Sequence, residues 1–169
     1  MTKNKRGFTL IELLVVIGII SILATFVTIN VQSSRQKARC AKRRADIISL
    51  QAPLEAYYDA NKNYPINNSN NLGSWWGTCS GNHDVYGPNG WIPNLAPAYI
   101  QRLPSDPNPS LTSGRCYLYY SEGQNYKILS YNPNEDGCVL GDPKDTLYDP
   151  VRPTYAWMVC SGEPYCSGY

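Results

Sequence analysis

Residues 8–31 read Phe-Thr-Leu-Ile-Glu-Leu-Leu-Val-Val-Ile-Gly-Ile-Ile-Ser-Ile-Leu-Ala-Thr-Phe-Val-Thr-Ile-Asn-Val, and this stretch decides the fold. It is apolar on every side and carries a single charge, Glu12. As an α-helix it would span roughly 36 Å, which is long enough to cross a bilayer. The transfer of its aliphatic side chains into lipid contributes about 5 to 10 kcal/mol, more than one carboxylate costs on the same scale. We therefore expect a membrane-spanning helix.

The rest of the 169-residue chain divides into two parts of different composition. Residues 63–169 hold 12 of the 13 prolines, 11 of the 13 glycines and all four tryptophans, which predicts a turn-rich, aromatic, folded head. Residues 32–62 extend the helix, and four apolar side chains recur on one face of it: Ile47, Leu50, Leu54 and Tyr57. This stripe should dock the head. Pro53 predicts a kink between residues 49 and 53, because proline removes an intrahelical hydrogen bond.

Charge is unevenly distributed, although the net charge is only +2. Six basic residues fall within ten positions: Arg35, Lys37, Arg39, Lys42, Arg43 and Arg44. The head at residues 63–169 carries five basic and nine acidic residues. The basic segment is too dense for a core, so we expect a solvated helix face that contacts either acidic lipid headgroups or the acidic heads of neighbouring copies. The overall balance predicts no specific nucleic-acid partner, which would require a strongly basic domain.

Glu12 needs a partner, because an isolated carboxylate inside an apolar helix is functional by default. A plain membrane anchor would leave it unexplained. Lys5 and Arg6 precede the apolar run, and Glu12 could extend toward them at the headgroup level. Alternatively, cleavage between Gly7 and Phe8 would create a free amine close to the start of the run.

The residues Lys-Arg-Gly7 followed by Phe8-Thr-Leu-Ile-Glu12-Leu-Leu-Val-Val closely resemble the class III signal sequence of type IV pilins and type II secretion pseudopilins. The match is dense over some 25 residues. The resemblance implies that a prepilin peptidase removes the leader peptide, residues 1–7, and methylates the new amine of Phe8. It also implies that Glu12 of an incoming subunit meets the Phe8 amine of a neighbour during assembly.

The fold class that we predict is α+β, with the long N-terminal helix packed against a small antiparallel sheet, as the resemblance implies. Residues 116–121 and 125–131 alternate in polarity around Glu122-Gly123-Gln124 and predict a β-hairpin. Residues 155–160 predict a third strand. Residues 66–115 read as a long connection in which residues 95–103 would form one or two helical turns.

Six cysteines, five of them in the head, favour an oxidising compartment and a disulfide framework. The positive-inside rule opposes this, since more basic residues follow the apolar run than precede it. We side with the cysteines and with the resemblance, which places the head outside. Six cysteines allow 15 pairings. We expect Cys79 to pair with Cys116, and Cys138 with Cys160 as the pilin habit of stapling the C-terminal region implies. Cys166 could then join Cys40, which could also be a buried free thiol.

The acidic residues between positions 135 and 149 have two interpretations: an acidic surface loop or, as the resemblance to the corresponding loop of secretion pseudopilins implies, a calcium site. Its candidate ligands here are Asp136, Asp142, Asp145 and Asp149, although their spacing is not that of an EF-hand. We expect no other cofactor. The chain is not expected to be an enzyme: it has one histidine, His83, and no hydrolase, metalloprotease or phosphate-loop motif.

The sequence thus predicts a structural subunit of a type IV pilus-like extracellular filament, with residues 8–31 as the transmembrane and filament-core helix. Its expected partners are copies of itself, the prepilin peptidase, the pilus assembly machinery and, before assembly, the membrane, which it crosses once with the head outside. One alternative is a pseudopilin of a type II secretion or DNA-uptake system. Another is a monomeric membrane-tethered binding module that uses its tryptophan-rich loop, where Trp75 and Trp76 lie.

Overall fold

The structure is a computed structural model that describes residues 7–67, 74–79, 83–110 and 112–168, with the side chains of residues 25–30 and 135 excepted. The predicted leader residues 1–6 therefore lie outside the described part. The chain separates into two compact units, one extending to Gln36 and one from Lys37 to Tyr169. Among the described residues, no helix combines the length and the hydropathy that a membrane crossing requires.

The first helix, α1, runs from Leu10 to Ser49, and α2 follows from Gln51 to Asn61. The interruption at Leu50 falls inside the predicted interval. Pro53 has no N–H to donate to the carbonyl of Ser49, so the helical ladder breaks one turn before it. The ladder resumes at once, since the N–H of Leu54 donates to the carbonyl of Leu50 at 3.1 Å. Lys62 ends α2 in the left-handed conformation, with φ of 60°.

The head contains a four-stranded antiparallel sheet whose spatial order follows the chain. Its strands are β1 (Trp76–Gly77), β2 (Cys116–Ser121), β3 (Tyr126–Tyr131) and β4 (Ala156–Cys160). The hairpin of β2 and β3 pairs Cys116 with Tyr131 and Ser121 with Tyr126, as the alternating pattern predicts. A 3-10 helix (Pro133–Asp136) follows β3, and a one-turn helix, α3 (Tyr165–Gly168), ends the described chain.

Two features of the head differ from the expectation. The short strand β1 pairs with β2 through Trp76 and Gly77, and two residues are too few to produce an alternating pattern. Residues 95–103 form turns rather than the predicted helix. The carbonyl of Leu95 accepts the N–H of Tyr99 at 2.9 Å and that of Ile100 at 3.4 Å. Pro97 lies within this turn and cannot donate to a further one.

The core lies between the helical stripe and one face of the sheet. Ile47, Leu50 and Leu54 are fully buried, as the stripe predicts. They belong to one hydrophobic cluster with side chains from the sheet and from the long connection, including Trp91, Leu95, Tyr117, Tyr119, Ile128 and Val159. Burial of each such aliphatic side chain stabilises the fold by about 1.5 to 3 kcal/mol. The resulting architecture is α+β, with the N-terminal helix packed on a small antiparallel sheet.

Candidate functional site

The predicted cleavage point lies in an irregular, exposed segment immediately before α1. Gly7 and Phe8 precede the helix, and the Phe8 side chain is 84% exposed. Apart from Gly7 itself and its chain neighbours, no described residue has an atom within 4 Å of the position that a Cβ on Gly7 would occupy. The bond between the two residues is therefore sterically open in the part of the chain that the structure describes.

Thr9 and Glu12 begin the helix together. The Glu12 Oε2 atom accepts hydrogen bonds from the Thr9 N–H at 2.8 Å and from the Thr9 hydroxyl at 2.7 Å, and the Glu12 N–H donates to the Thr9 Oγ1 atom at 3.3 Å. This reciprocal arrangement is a capping box, with threonine at the N-cap and glutamate three residues later. The Thr-x-x-Glu spacing in the sequence predicts this capping box. We had instead expected only charged partners for Glu12. Lys5 and Arg6, the alternative partners, lie outside the described residues.

The first turns of α1 expose apolar side chains on every face. Its large hydrophobic residues between Leu10 and Leu23 are between 46% and 81% exposed. A continuous apolar surface of this kind marks contact with another protein or with a membrane. It also lacks the polar stripe of a helix that faces water on one side.

The basic segment forms the expected solvated face only in part: Arg35, Lys37 and Lys42 are exposed, whereas the other three basic residues contact the head. Arg43 is fully buried and contacts two carboxylates. Its Nε and Nη2 atoms donate to the two oxygens of Asp106, which is also buried, at 2.7 and 2.9 Å, and Nη2 lies 2.9 Å from an oxygen of Asp136. Burial disfavours the charged guanidinium, but the hydrogen bonds and charges of the two aspartates outweigh it and raise the pKa of Arg43.

Arg39 and Arg44 make the same kind of contact on either side of Arg43. Arg39 donates from Nε and Nη2 to Asp136 at 2.6 and 2.7 Å, and Arg44 donates from Nη1 and Nη2 to Asp145 at 2.5 and 2.8 Å. Arg44 also lies over the Trp157 ring, 5.1 Å from its centroid. We name Arg39, Arg43 and Arg44 the arginine clamp. Sequence reasoning assigned these arginines to headgroups or to neighbouring copies, whereas they bind the head of their own chain.

The arginine clamp stabilises the charged forms of its partners. The pKa of Asp136 is lowered, because the hydrogen bonds from Arg39 and Arg43 outweigh the opposing effect of burial. The pKa of Asp145 is lowered chiefly by its hydrogen bonds from Arg44.

The six cysteines form three disulfides: Cys40–Cys138, Cys79–Cys116 and Cys160–Cys166. The second joins the two residues that we paired from the sequence. The expected bond Cys138–Cys160 is wrong, and the alternative of a Cys40–Cys166 pair does not form either. Cys138 follows the 3-10 helix and faces α1, where it also lies 3.5 Å from Arg43, whereas Cys160 ends β4 beside α3. Cys40 is thus neither free nor bonded to the C-terminal turn.

The four candidate calcium ligands do not converge. Among the described residues, no group of three or more histidine, cysteine or acidic side chains could hold a metal ion. Asp136 and Asp145 bind the arginine clamp. Asp149 is buried against Lys127, 3.1 Å from its Nζ atom, and Asp142 is exposed and accepts the N–H of Lys144 at 2.9 Å. This donor set does not fit a calcium ion, which takes six to eight oxygen ligands around one point.

The aromatic residues of the predicted binding loop pack against their own chain. Trp91 is fully buried and donates from Nε1 to the carbonyl of Pro104 at 3.1 Å. Trp75 lies under the guanidinium of Arg152, 5.3 Å from it, and Trp76 stacks on His83 with ring centroids 4.4 Å apart. Burial lowers the pKa of His83 and favours the neutral ring.

Sequence comparisons with known families and proteins add independent evidence on the class of this protein. Residues 2–28 match the family model of the prokaryotic N-terminal methylation motif. The motif, the apolar helix and the helix-on-sheet head together define a type IV pilin or pseudopilin. No solved structure matches the chain significantly.

Three relatives share one description, type II secretion system core protein G. The chain is 35% identical over 140 residues to that of Escherichia coli (strain K12), which covers 79% of this chain and 85% of the relative. It is 34% identical to the relative from Dickeya chrysanthemi, and the match covers 79% of this chain and 81% of the relative. It is 30% identical to the relative from Pseudomonas aeruginosa, and the match covers 85% of this chain and 92% of the relative. The chain belongs to the family of type II secretion system core protein G.

Proposed function

We propose that this chain is a pseudopilin, a non-enzymatic filament subunit of a type II secretion apparatus. The observation that carries the proposal is the combination of an exposed Gly7–Phe8 bond with exposed apolar side chains on every face of α1 between Leu10 and Leu23. The descriptions of the relatives favour this function, the alternative in the sequence analysis, over a subunit of a surface pilus.

Processing creates the group that assembly requires. A prepilin peptidase cleaves after Gly7, which leaves the amine of Phe8 next to the capping box and open to methylation. Both hydrogen bonds from Thr9 go to the Oε2 atom of Glu12, and Oε1 receives none from the described residues. Oε1 is therefore placed to accept the Phe8 amine of a neighbouring subunit. The pairing would fix the register of helices that could otherwise slide past one another.

The subunit waits in the membrane before it assembles. The apolar run of residues 8–31 contacts lipid at this stage and the helices of neighbouring copies afterward. Three disulfides support a head on the oxidising side of the membrane. Because contacts between successive copies do not close into a ring, the product is an open helical filament.

Deletion of the chain in its own host, followed by re-expression, tests the proposal. We expect the deletion to remove specific proteins from the culture medium, and the unchanged chain to restore them. Electron microscopy of material sheared from cells at native expression should show no abundant fibres of this chain. Normal secretion without the chain would contradict the proposal, and abundant surface fibres would favour the pilus. A third result, in which assembly fails to occur yet a ligand is bound through Trp75 and Trp76, would favour a tethered binding module.

A further inference from the structure

Residues 133–149 lead from β3 toward β4 and are tied to one short stretch of α1. The ion pairs and the disulfide that join the described part of this segment to α1 come from residues 39–44 of the helix, which span less than two turns. Two members of the arginine clamp bind Asp136 and the third binds Asp145, and Cys40 forms a covalent bond to Cys138. A segment with little regular structure is thereby held at its beginning and near its end.

The arginine clamp performs both functions of a structural cation. It neutralises carboxylates that are removed from water, and it holds them in fixed directions. Asp136 is 7% exposed and its two oxygens accept from Arg39, Arg43 and the side-chain amide of Asn108. Both oxygens of Asp106 accept from Arg43, and one also accepts the N–H of Asn108 at 2.8 Å. Planar guanidinium groups suit this two-point recognition of carboxylates.

A divalent cation would have to displace these contacts. If Asp136 bound the cation, it would lose its contacts with the guanidinium groups of Arg39 and Arg43. Arg43 has no exposed surface, so its charge would stay buried with only part of its present contacts. Such a rearrangement is costly, because an uncompensated charge in the interior is strongly destabilising. Asp149 is held by Lys127, which is itself buried, and so is no freer to move.

We infer that the arginine clamp replaces a structural divalent cation in this protein, so that the head is stable without calcium. The inference concerns residues 39–44, 106–108, 127 and 133–149 alone and stands apart from the proposed role in secretion.

Thermal unfolding of the full chain in detergent micelles tests the inference. The chain is measured in CaCl2, in MgCl2 and in EDTA, and CaCl2 is titrated into the chelator-treated chain by calorimetry. We expect the same apparent Tm in all three solutions and no saturable heat of binding. A higher Tm in calcium than in EDTA, with saturable binding that Asp145→Asn removes, would overturn the inference.

Variants of α1 test whether the arginine clamp itself stabilises the head. Arg43→Gln should lower the apparent Tm by about 6 to 20 °C, equally in calcium and in EDTA. Lys42→Gln is the matched control: it removes an exposed cation of the same helix that pairs with Asp46, and should change Tm by at most about 4 °C. An Arg43→Gln chain that unfolds like the control would overturn the inference. If Arg43→Gln fails to fold, the metal series on the unchanged chain still decides the question.

Discussion

Thr9 and Glu12 hydrogen-bond to each other in both directions, so the carboxylate of Glu12 completes the first turn of α1. The same carboxylate is proposed to accept the Phe8 amine of a neighbour. Glu12 would therefore have two roles: it caps the start of its own helix, and it sets the register of the helix of the neighbouring subunit. The two roles can be separated, because only the second requires a negative charge.

Glu12→Gln should keep the helix start and lose assembly. Glutamine also completes a capping box but cannot neutralise an amine. We expect the variant to insert in membranes at the normal level and to give few sedimentable filaments when the assembly system is overexpressed. Normal filament yield from Glu12→Gln would contradict the proposed pairing.

Thr9→Val is the complementary control. It removes the hydroxyl of the capping box and keeps the charge of Glu12, at a cost of about 1 kcal/mol in helix stability. We expect filament yield close to that of the unchanged chain, measured in the same sedimentation assay. A loss as large as that of Glu12→Gln would mean that the helix start, and not the charge, limits assembly.

Removal of the Cys40–Cys138 bond should destabilise the head more than removal of Cys160–Cys166. The first bond joins residues 98 positions apart and the second joins residues 6 positions apart. Closing a loop of about 100 residues restricts the unfolded chain by about 4.7 kcal/mol, whereas a loop of about 15 residues already contributes only about 3 kcal/mol.

The measurement compares the apparent Tm of two double variants, Cys40→Ser with Cys138→Ser and Cys160→Ser with Cys166→Ser. We expect the first to lie lower by several degrees, since about 1 kcal/mol shifts Tm by about 2 to 4 °C in a chain of this size. The opposite ranking would show that local packing near α3 outweighs the loop lengths.

Acid should destabilise the head below about pH 4. The folded pKa values of Asp136 and Asp145 are lowered relative to the unfolded chain, where a carboxyl titrates near 3.9. Their stabilisation is therefore fully present above the unfolded pKa and is lost as the pH falls through the folded pKa. The apparent Tm should be nearly constant between about pH 7 and 5 and should fall below about pH 4.

Asp136→Asn provides the control for the acid series. It should unfold at a lower temperature at pH 7 and should lose less Tm on acidification, because one of the titrating groups is gone. A decline as steep as that of the unchanged chain would assign the acid sensitivity to other carboxylates.

Gly77 should tolerate no larger residue. A Cβ at this position would lie 2.2 Å from the carbonyl oxygen of Tyr117, where β1 meets β2. We expect Gly77→Ala to destabilise the head by about 1 to 3 kcal/mol, measured by denaturant unfolding. Gly168→Ala is the matched control, because the nearest atom to its Cβ would lie 3.8 Å away. Equal stability of the two variants would contradict the close pairing of β1 with β2.

The features that local pattern predicted are those whose causes are local. The hairpin of β2 and β3 follows from alternation, the break at Leu50 follows from Pro53, and the docking stripe of Ile47 and Leu54 follows from helical periodicity. Each is determined by residues within a few positions of one another. The leader motif is equally local, and it led directly to the family.

The features that pattern missed depend on distant partners. Arg43 reads as a surface residue until Asp106, 63 positions away, is brought against it. The disulfides depend on the same tertiary contacts, since Cys138 can reach Cys40 only after residues 133–149 are folded onto α1. The capping box is a different case, because the spacing of Thr9 and Glu12 was visible in the sequence.

The mass of the N-terminal peptide tests the central claim most directly. The full chain is produced with a prepilin peptidase, purified from membranes and analysed by tandem mass spectrometry. We predict a peptide that begins at Phe8 and carries one methyl group on its amine, and no peptide that contains residues 1–7. A chain that retains Met1, or that begins at a residue other than Phe8, would contradict the account.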